Sequence, residues 1–173
     1  AKAGLIWVPI NPGIGFAEKS YILKETNAKL LIGDAELIKH SINELSAICS
    51  SILFTDEDIG ESGNTMWHVL VNQDKTEPEV HIEDRDVAQI MYTSGTTGNP
   101  KGVMISHLAV FIASLSNIIE NEYKKDSVLL AMMPMFHCAQ HTMITASLHH
   151  GVPVVILRGF EPELFMKTVE KQQ

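Results

Sequence analysis

The sequence predicts an α/β fold: mostly parallel sheet layers flanked by helices, with one strand–loop–strand hairpin near the middle. Three observations carry that expectation. Short apolar runs at 5–8, 30–32 and 51–54 alternate with segments of helical length and period, which is the pattern of β-α-β units. A stretch rich in glycine and threonine, Tyr92-Thr93-Ser94-Gly95-Thr96-Thr97-Gly98-Asn99-Pro100-Lys101-Gly102, divides Ile90-Met91 from Val103-Met104-Ile105. Beyond it, apolar runs at 128–133 and 154–157 bracket another helical segment.

Taken in order, Leu5-Ile6-Trp7-Val8 reads as a short strand stopped by Pro9 and Pro12. Residues 17–27 read as a helix with Ile22 and Leu23 facing inward, and Leu30-Leu31-Ile32 as the next strand. Asp34 is the expected N-cap of one helix that buries Leu37, Ile38, Ile42, Leu45 and Ile48. Ser51-Ile52-Leu53-Phe54 follows as a strand, and 65–71 as a short helix. Residues 87–93 and 103–105 form the arms of the hairpin. Ser106 caps a helix whose stripe of Leu108, Phe111, Ile112, Leu115, Ile118 and Ile119 is expected in the core. His107, in its first turn, reads as structural or solvent-facing. The continuous run 128–133 predicts a strand buried on both faces. The next helix carries Met143, Ile144 and Leu148 and stops at Gly151, a C′ glycine. Val154-Val155-Ile156-Leu157 is the last strand, and Glu161-Pro162 opens the last helix.

Composition narrows the class further. The chain has 173 residues, 45% hydrophobic and 20% charged, enough for a real core. No apolar run reaches the roughly eighteen residues of a membrane span, and no signal peptide is recognised, so a cytoplasmic protein is expected. Cys49 and Cys138 form no framework and are expected as reduced thiols. The net charge of −8 argues against a nucleic-acid partner. Ten acids lie between Asp56 and Asp86 against only Lys75 and Arg85, a balance equal to the whole net charge of −8. That segment reads as a solvated connection, well away from any bound phosphate. The chain opens on Ala1 and closes on Gln173 in mid-pattern, which reads as a piece of a longer protein.

The chemistry is concentrated in the hairpin loop. Glycines give the backbone conformations closed to other residues, hydroxyls and freed N–H groups point inward, and Lys101 adds a fixed cation. Such a concavity suits a polyphosphate. It is not the P-loop of nucleotidases, G-x-x-x-x-G-K-[ST]. Aligned on Lys101, Pro100 stands where the second glycine belongs, and Gly102 where the magnesium-binding Ser or Thr belongs. A strand follows it, not a helix.

Residues Tyr92 through Val103 closely resemble the signature loop of the adenylate-forming enzymes, an aromatic residue followed by T-S-G-[ST]-T-G-x-P-K-G-V. Lys2-Ala3-Gly4 and Val8-Pro9-Ile10-Asn11-Pro12 resemble a second segment of that family, structural in role. Pro134-Met135-Phe136-His137 resembles the P-[LM]-[FY]-H motif of its CoA-forming branch, the acyl- and aryl-CoA synthetases. The resemblance implies that Thr93, Ser94, Gly95, Thr96, Thr97, Gly98 and Lys101 bind the β- and γ-phosphates of ATP. It also implies that His137 lines the acyl pocket, catalytically placed near the activated carboxylate. ATP, magnesium and coenzyme A are the implied cofactors and co-substrates, and a carboxylic acid, with a fatty acid leading, is the implied substrate. The chain departs from the family at Gln140, close to where many relatives carry glycine.

The resemblance implies a partial N-terminal adenylation domain. Residues 1–125 would form a first α/β layer carrying the loop at 92–103, and 126–173 the start of a second. No counterpart is present of the family's Y-G-x-T-E segment, ribose-binding aspartate, hinge, or small C-terminal domain with its lysine. The isolated chain is therefore expected to be inactive, a part of an AMP-forming acid–thiol ligase. The alternative is a non-catalytic module that grips a nucleotide or partner. For His137 and His141, spaced i and i+4, a zinc site is the competing and disfavoured reading, with His149 or His150 too far along for a compact third ligand. Met132, Met133, Met135 and Met143 cluster around the same segment, as core filling or as the wall of an acyl pocket.

Overall fold

The computed structural model describes residues 3–55, 65–71, 76–93 and 98–172. It divides into two compact units, one formed by Asn11–Pro78 with Ser94–Pro100 and the other by the remaining segments.

In the first unit, helix α1 spans Phe16–Glu25, with Glu18 in its first turn and Lys24 in its last, both complementing the helix dipole. Its apolar stripe is narrow: Ile22 and Leu23 are 2% and 3% exposed. The chain leaves α1 through Asn27, held at φ 49°, a left-handed conformation that asparagine tolerates. Strands β1 (Leu30–Gly33) and β2 (Ser51–Phe54) then pair in parallel, Leu30 opposite Ser51 and Gly33 opposite Phe54.

The crossover between these strands differs from the single helix expected. It is α2 (Ala35–Ile38), one 3₁₀ turn (Lys39–Ser41) and α3 (Ile42–Ser46). Ser41, at φ −126° and ψ 23°, lies outside the helical well and separates the 3₁₀ turn from α3. Ile38, Leu45 and Cys49 are buried, whereas Leu37 is 51% exposed. Asp34 occupies the N-cap in extended conformation, but its carboxylate accepts from the Thr55 hydroxyl instead of a helix N–H. Phe54 bridges in parallel to Thr65, just before α4 (Met66–Val71).

The second unit is built on an antiparallel hairpin, β3 (Val87–Thr93) with β4 (Lys101–Ser106). The first apolar run of the chain does not join β1 and β2. Trp7 pairs in parallel with β3, its N–H donating to the Ala88 carbonyl at 3.0 Å and its carbonyl accepting from Ile90 N–H at 3.0 Å. Ser106 caps α5 (His107–Glu120) as expected, its hydroxyl accepting from Ala109 N–H at 3.2 Å. His107 is half-buried, and its N–H donates to the Asp86 carbonyl.

The stripe of α5 is not the core the periodicity predicts. Leu108, Phe111, Ile112, Leu115 and Ile119 are between 39% and 70% exposed, and only Ser114 of this helix is wholly buried. The Ser114 side faces inward because a small residue there lets helices approach closely, its hydroxyl closing on the Val110 carbonyl at 2.9 Å. Helix α6 (Cys138–His150) packs on α5 with its own small residues Ala146 and Ser147 fully buried. One ring contact, Phe111 with His149, joins the helices, and a second, Tyr123 with His150, ties the turn after α5 to the end of α6. Gly151 terminates α6 at φ 77°, the left-handed cap that glycine adopts without strain.

Strands β5 (Leu129–Ala131) and β6 (Val154–Ile156) flank α6 and pair in parallel. The run 128–133 was expected to be one buried strand, yet only its middle is strand, and Met133 is 41% exposed. The shortening has a cause: the N–H groups of Met132 and Met133 are taken by the Gln140 side chain. Helix α7 (Pro162–Lys171) starts with proline in its first turn. Among the described residues no helix is long and apolar enough to cross a membrane.

Candidate active site

The register of the hairpin defines the first part of the site. Thr93, the last residue of β3, lies opposite Lys101, the first of β4, and its hydroxyl reaches the Lys101 carbonyl at 3.5 Å. Seven residues separate them in sequence. Ser94, Gly95, Thr96 and Thr97 lie outside the described residues. Gly98 is described, at φ 137°, where a side chain would be strained. Gly102 faces Tyr92 across the ladder, and a Cβ there would come within 2.9 Å of Ile90 Cγ2 and 3.1 Å of Tyr92 Cζ. Both the aromatic residue and the glycine after the lysine are thus explained by one close approach. Lys101 and Thr93 are exposed, and Lys101 makes no ion pair among the described residues.

The second part sits at the carboxyl end of β5, where open α/β sheets bind ligands. Pro134 to His137 form a turn, His137 N–H donating to the Pro134 carbonyl at 3.1 Å. His137 is the N-cap of α6, exposed, with its Nδ1 accepting from Ala139 N–H at 3.5 Å and standing 3.8 Å from Cys138 Sγ. An imidazole whose Nδ1 accepts carries its proton on Nε2 when neutral. His137 therefore presents an Nε2–H donor, suited to a carboxylate or acyl oxygen. No hydrogen bond or ion pair among the described residues joins His137 to Thr93 or Lys101.

His141, one turn further along α6, is engaged elsewhere. Its ring packs against Trp7 in a tilted contact, centroids 4.3 Å apart and planes at 43°. Among the described residues no three His, Cys, Asp or Glu side chains are grouped to hold a metal ion. Burial holds the His141 imidazole below the ordinary histidine range. Folding thus favours its neutral form, and protonation favours the unfolded chain. Stability contributed by this group is present above the unfolded value of about 6.5 and declines as pH falls below it. The His141→Phe variant is expected to lose part of the drop in urea midpoint between pH 7.5 and 5.5. An unchanged drop would show that His141 carries none of it.

The sequence names Thr93, Gly98, Lys101 and His137 as site candidates and gives Gln140 no part beyond a departure from the family pattern. Its signal was there: a long amide side chain three residues into a helix that starts where a strand has just ended.

The architecture, parallel strand pairs crossed by helices beside an antiparallel hairpin, defines a mixed α/β class. The chain belongs to the AMP-binding enzyme family, which it matches over residues 1–173. It is 31% identical over 183 aligned residues to a crotonobetaine/carnitine–CoA ligase of Escherichia coli, covering 99% of this chain and 34% of that protein. It superposes with a TM-score of 0.81 on the crystal structure of a long-chain-fatty-acid–CoA ligase from Archaeoglobus fulgidus. That pair is 28% identical, over 95% of this chain and 32% of the other. An O-succinylbenzoate coenzyme A synthetase from Bacillus subtilis, in complex with ATP and magnesium ion, shares the fold with a TM-score of 0.77. It is 22% identical, over 96% of this chain and 32% of the other. The chain thus spans about a third of the length of the relatives it matches.

Proposed function

We propose that the protein containing this chain is an AMP-forming acid–thiol ligase that activates a carboxylic acid, a fatty acid foremost, and passes it to coenzyme A. A carboxylate is a poor electrophile, and a mixed anhydride with AMP corrects that. One carboxylate oxygen attacks the α-phosphorus of ATP, the bond to the bridging oxygen breaks, and pyrophosphate leaves. The thiol of coenzyme A then attacks the acyl carbon and AMP leaves. The first step needs the growing charge on pyrophosphate neutralised. Thr93, Ser94, Gly95, Thr96, Thr97, Gly98 and Lys101 supply hydroxyls, backbone N–H groups and a cation for the β- and γ-phosphates. The Nε2–H of His137 steadies the acyl carboxylate. Magnesium accompanies the nucleotide, and its ligands are assigned to none of the described residues.

The observation that carries this reading is the pairing of Thr93 with Lys101. It sets Lys101, an exposed cation with no ion-pair partner among the described residues, at the end of a segment rich in glycine and threonine. The fatty-acid preference draws support from the methionines beside His137 and from the likeness to a long-chain-fatty-acid–CoA ligase. The free cysteines Cys49 and Cys138 fit a reducing, cytoplasmic setting. The chain is read as a partial N-terminal adenylation domain, residues 1–125 its first α/β layer and 126–173 the start of the next.

ATP–pyrophosphate exchange on the full-length protein with a panel of fatty, aromatic and short-chain acids tests the proposal. Exchange dependent on a fatty acid supports it; exchange with another class alone corrects the substrate. ATP binding without exchange on any acid would instead favour a non-catalytic nucleotide module. The 173-residue chain alone is expected to give no carboxylate-dependent exchange, and AMP release from it would overturn that expectation.

A further inference from the structure

Gln140 is a large polar side chain buried where packing alone would favour an apolar one. It is 1% exposed, in the first turn of α6. Its Oε1 accepts from Met132 N–H at 3.2 Å and from Met133 N–H at 3.0 Å, the two residues that directly follow β5. Its Nε2 is buried and has no hydrogen-bond partner among the described residues. A buried amide with an unmet donor opposes stability, and such departures from good packing concentrate where function constrains the site.

The geometry points to Gln140 as a positioning residue for His137. One side-chain oxygen ties the start of α6 to the end of β5, closing the turn that runs from Met132 to His137. His137 is the last residue of that turn, and its Nδ1 is held by Ala139 N–H, the neighbour of Gln140. With Oε1 removed, Met132 and Met133 N–H lose their acceptor, the turn reopens toward water, and the imidazole loses its fixed aim. The kinetic part rests on the ligase reading; the structural part does not.

The test compares Gln140→Met, which keeps the bulk and removes the acceptor, with Gln140→Glu, which keeps an acceptor oxygen. Both are made in the full-length protein. Gln140→Met is expected to lower kcat for acyl-CoA formation about tenfold while the KM for ATP stays within about twofold, since a small misplacement of a positioned group costs rate rather than nucleotide grip. The ring signal of His137 is expected to shift. The Met132 and Met133 amides are expected to exchange with solvent at least about tenfold faster, with Ala146 unchanged. Gln140→Glu is expected to restore kcat to within about threefold of the original protein. Unchanged kcat together with an unmoved His137 signal in folded Gln140→Met overturns the proposal, as does failure of folded Gln140→Glu to rescue. Should Gln140→Met not fold, amide exchange in the unsubstituted protein decides: unprotected Met132 and Met133 refute the clamp, and protected ones with Gln140→Glu active sustain it. Absence of carboxylate-dependent exchange in the unsubstituted protein sinks the ligase reading, while the His137 signal and amide exchange still judge the clamp.

Discussion

Replacing Lys101 with alanine is expected to slow adenylate formation by about a hundredfold or more, with the KM for the carboxylic acid nearly unchanged. Lys101 is the first residue of β4, exposed, and opposite Thr93. No carboxylate among the described residues neutralises it, so its charge is available to a ligand. At an effective dielectric of about 20, a unit charge about 4 Å from another contributes roughly 4 kcal/mol. Only the part that grows as pyrophosphate departs accelerates the step, and two to three kcal/mol of that, roughly, is a hundredfold. An arginine keeps the charge on a bulkier, planar group, so Lys101→Arg is expected to recover only part of the rate. Because the side chain is exposed, Lys101→Ala is expected to change unfolding stability by less than about 0.5 kcal/mol. Pyrophosphate exchange and urea unfolding on the same preparation separate these effects. A rate within about threefold of the original would remove Lys101 from phosphate binding.

The sequence shows most clearly what is set locally. Ser106 capping α5, Gly151 ending α6 and Pro162 opening α7 each follow from one residue's backbone chemistry, and the structure has all three. The hairpin is legible for the same reason: apolar runs flank glycines where a Cβ has no room or the wrong φ. What the sequence could not supply was the partner of each apolar surface. The period of α5 correctly marks one apolar face, but period is blind to cover, and Phe111 and Ile119 lie open. Their relatives are about three times as long as this chain, so cover for that face need not come from these 173 residues. Trp7 was read as the first strand of a sheet with β1, because alternation fixes order but not neighbours; it pairs with β3. The role of Gln140 was hidden because a side chain that replaces a strand's hydrogen-bond partner leaves no periodic trace.

The same distinction between an apolar pattern and actual cover yields the second large effect. Ile22 and Leu37 both lie on helices whose periodicity turns them inward, yet Ile22 is 2% exposed and Leu37 51%. Truncating a well-buried isoleucine loses its transfer energy and leaves a cavity that neighbours fill only partly, so Ile22→Ala is expected to cost about 2–5 kcal/mol. Marginal domains hold only about 5–15 kcal/mol in all, so this variant should show a large fall in urea midpoint. Leu37→Ala opens no cavity, and alanine is the better helix former, so its cost is expected below about 1 kcal/mol. Helix α1 carries none of the residues assigned to ATP or the acyl group. Folded Ile22→Ala is therefore expected to keep its pyrophosphate-exchange rate within about twofold, which separates stability from chemistry. Equal losses at the two positions would mean that Leu37 is covered by something beyond the described residues. An unaffected midpoint in Ile22→Ala would mean that the Ile22–Leu23 face is not the core of its unit.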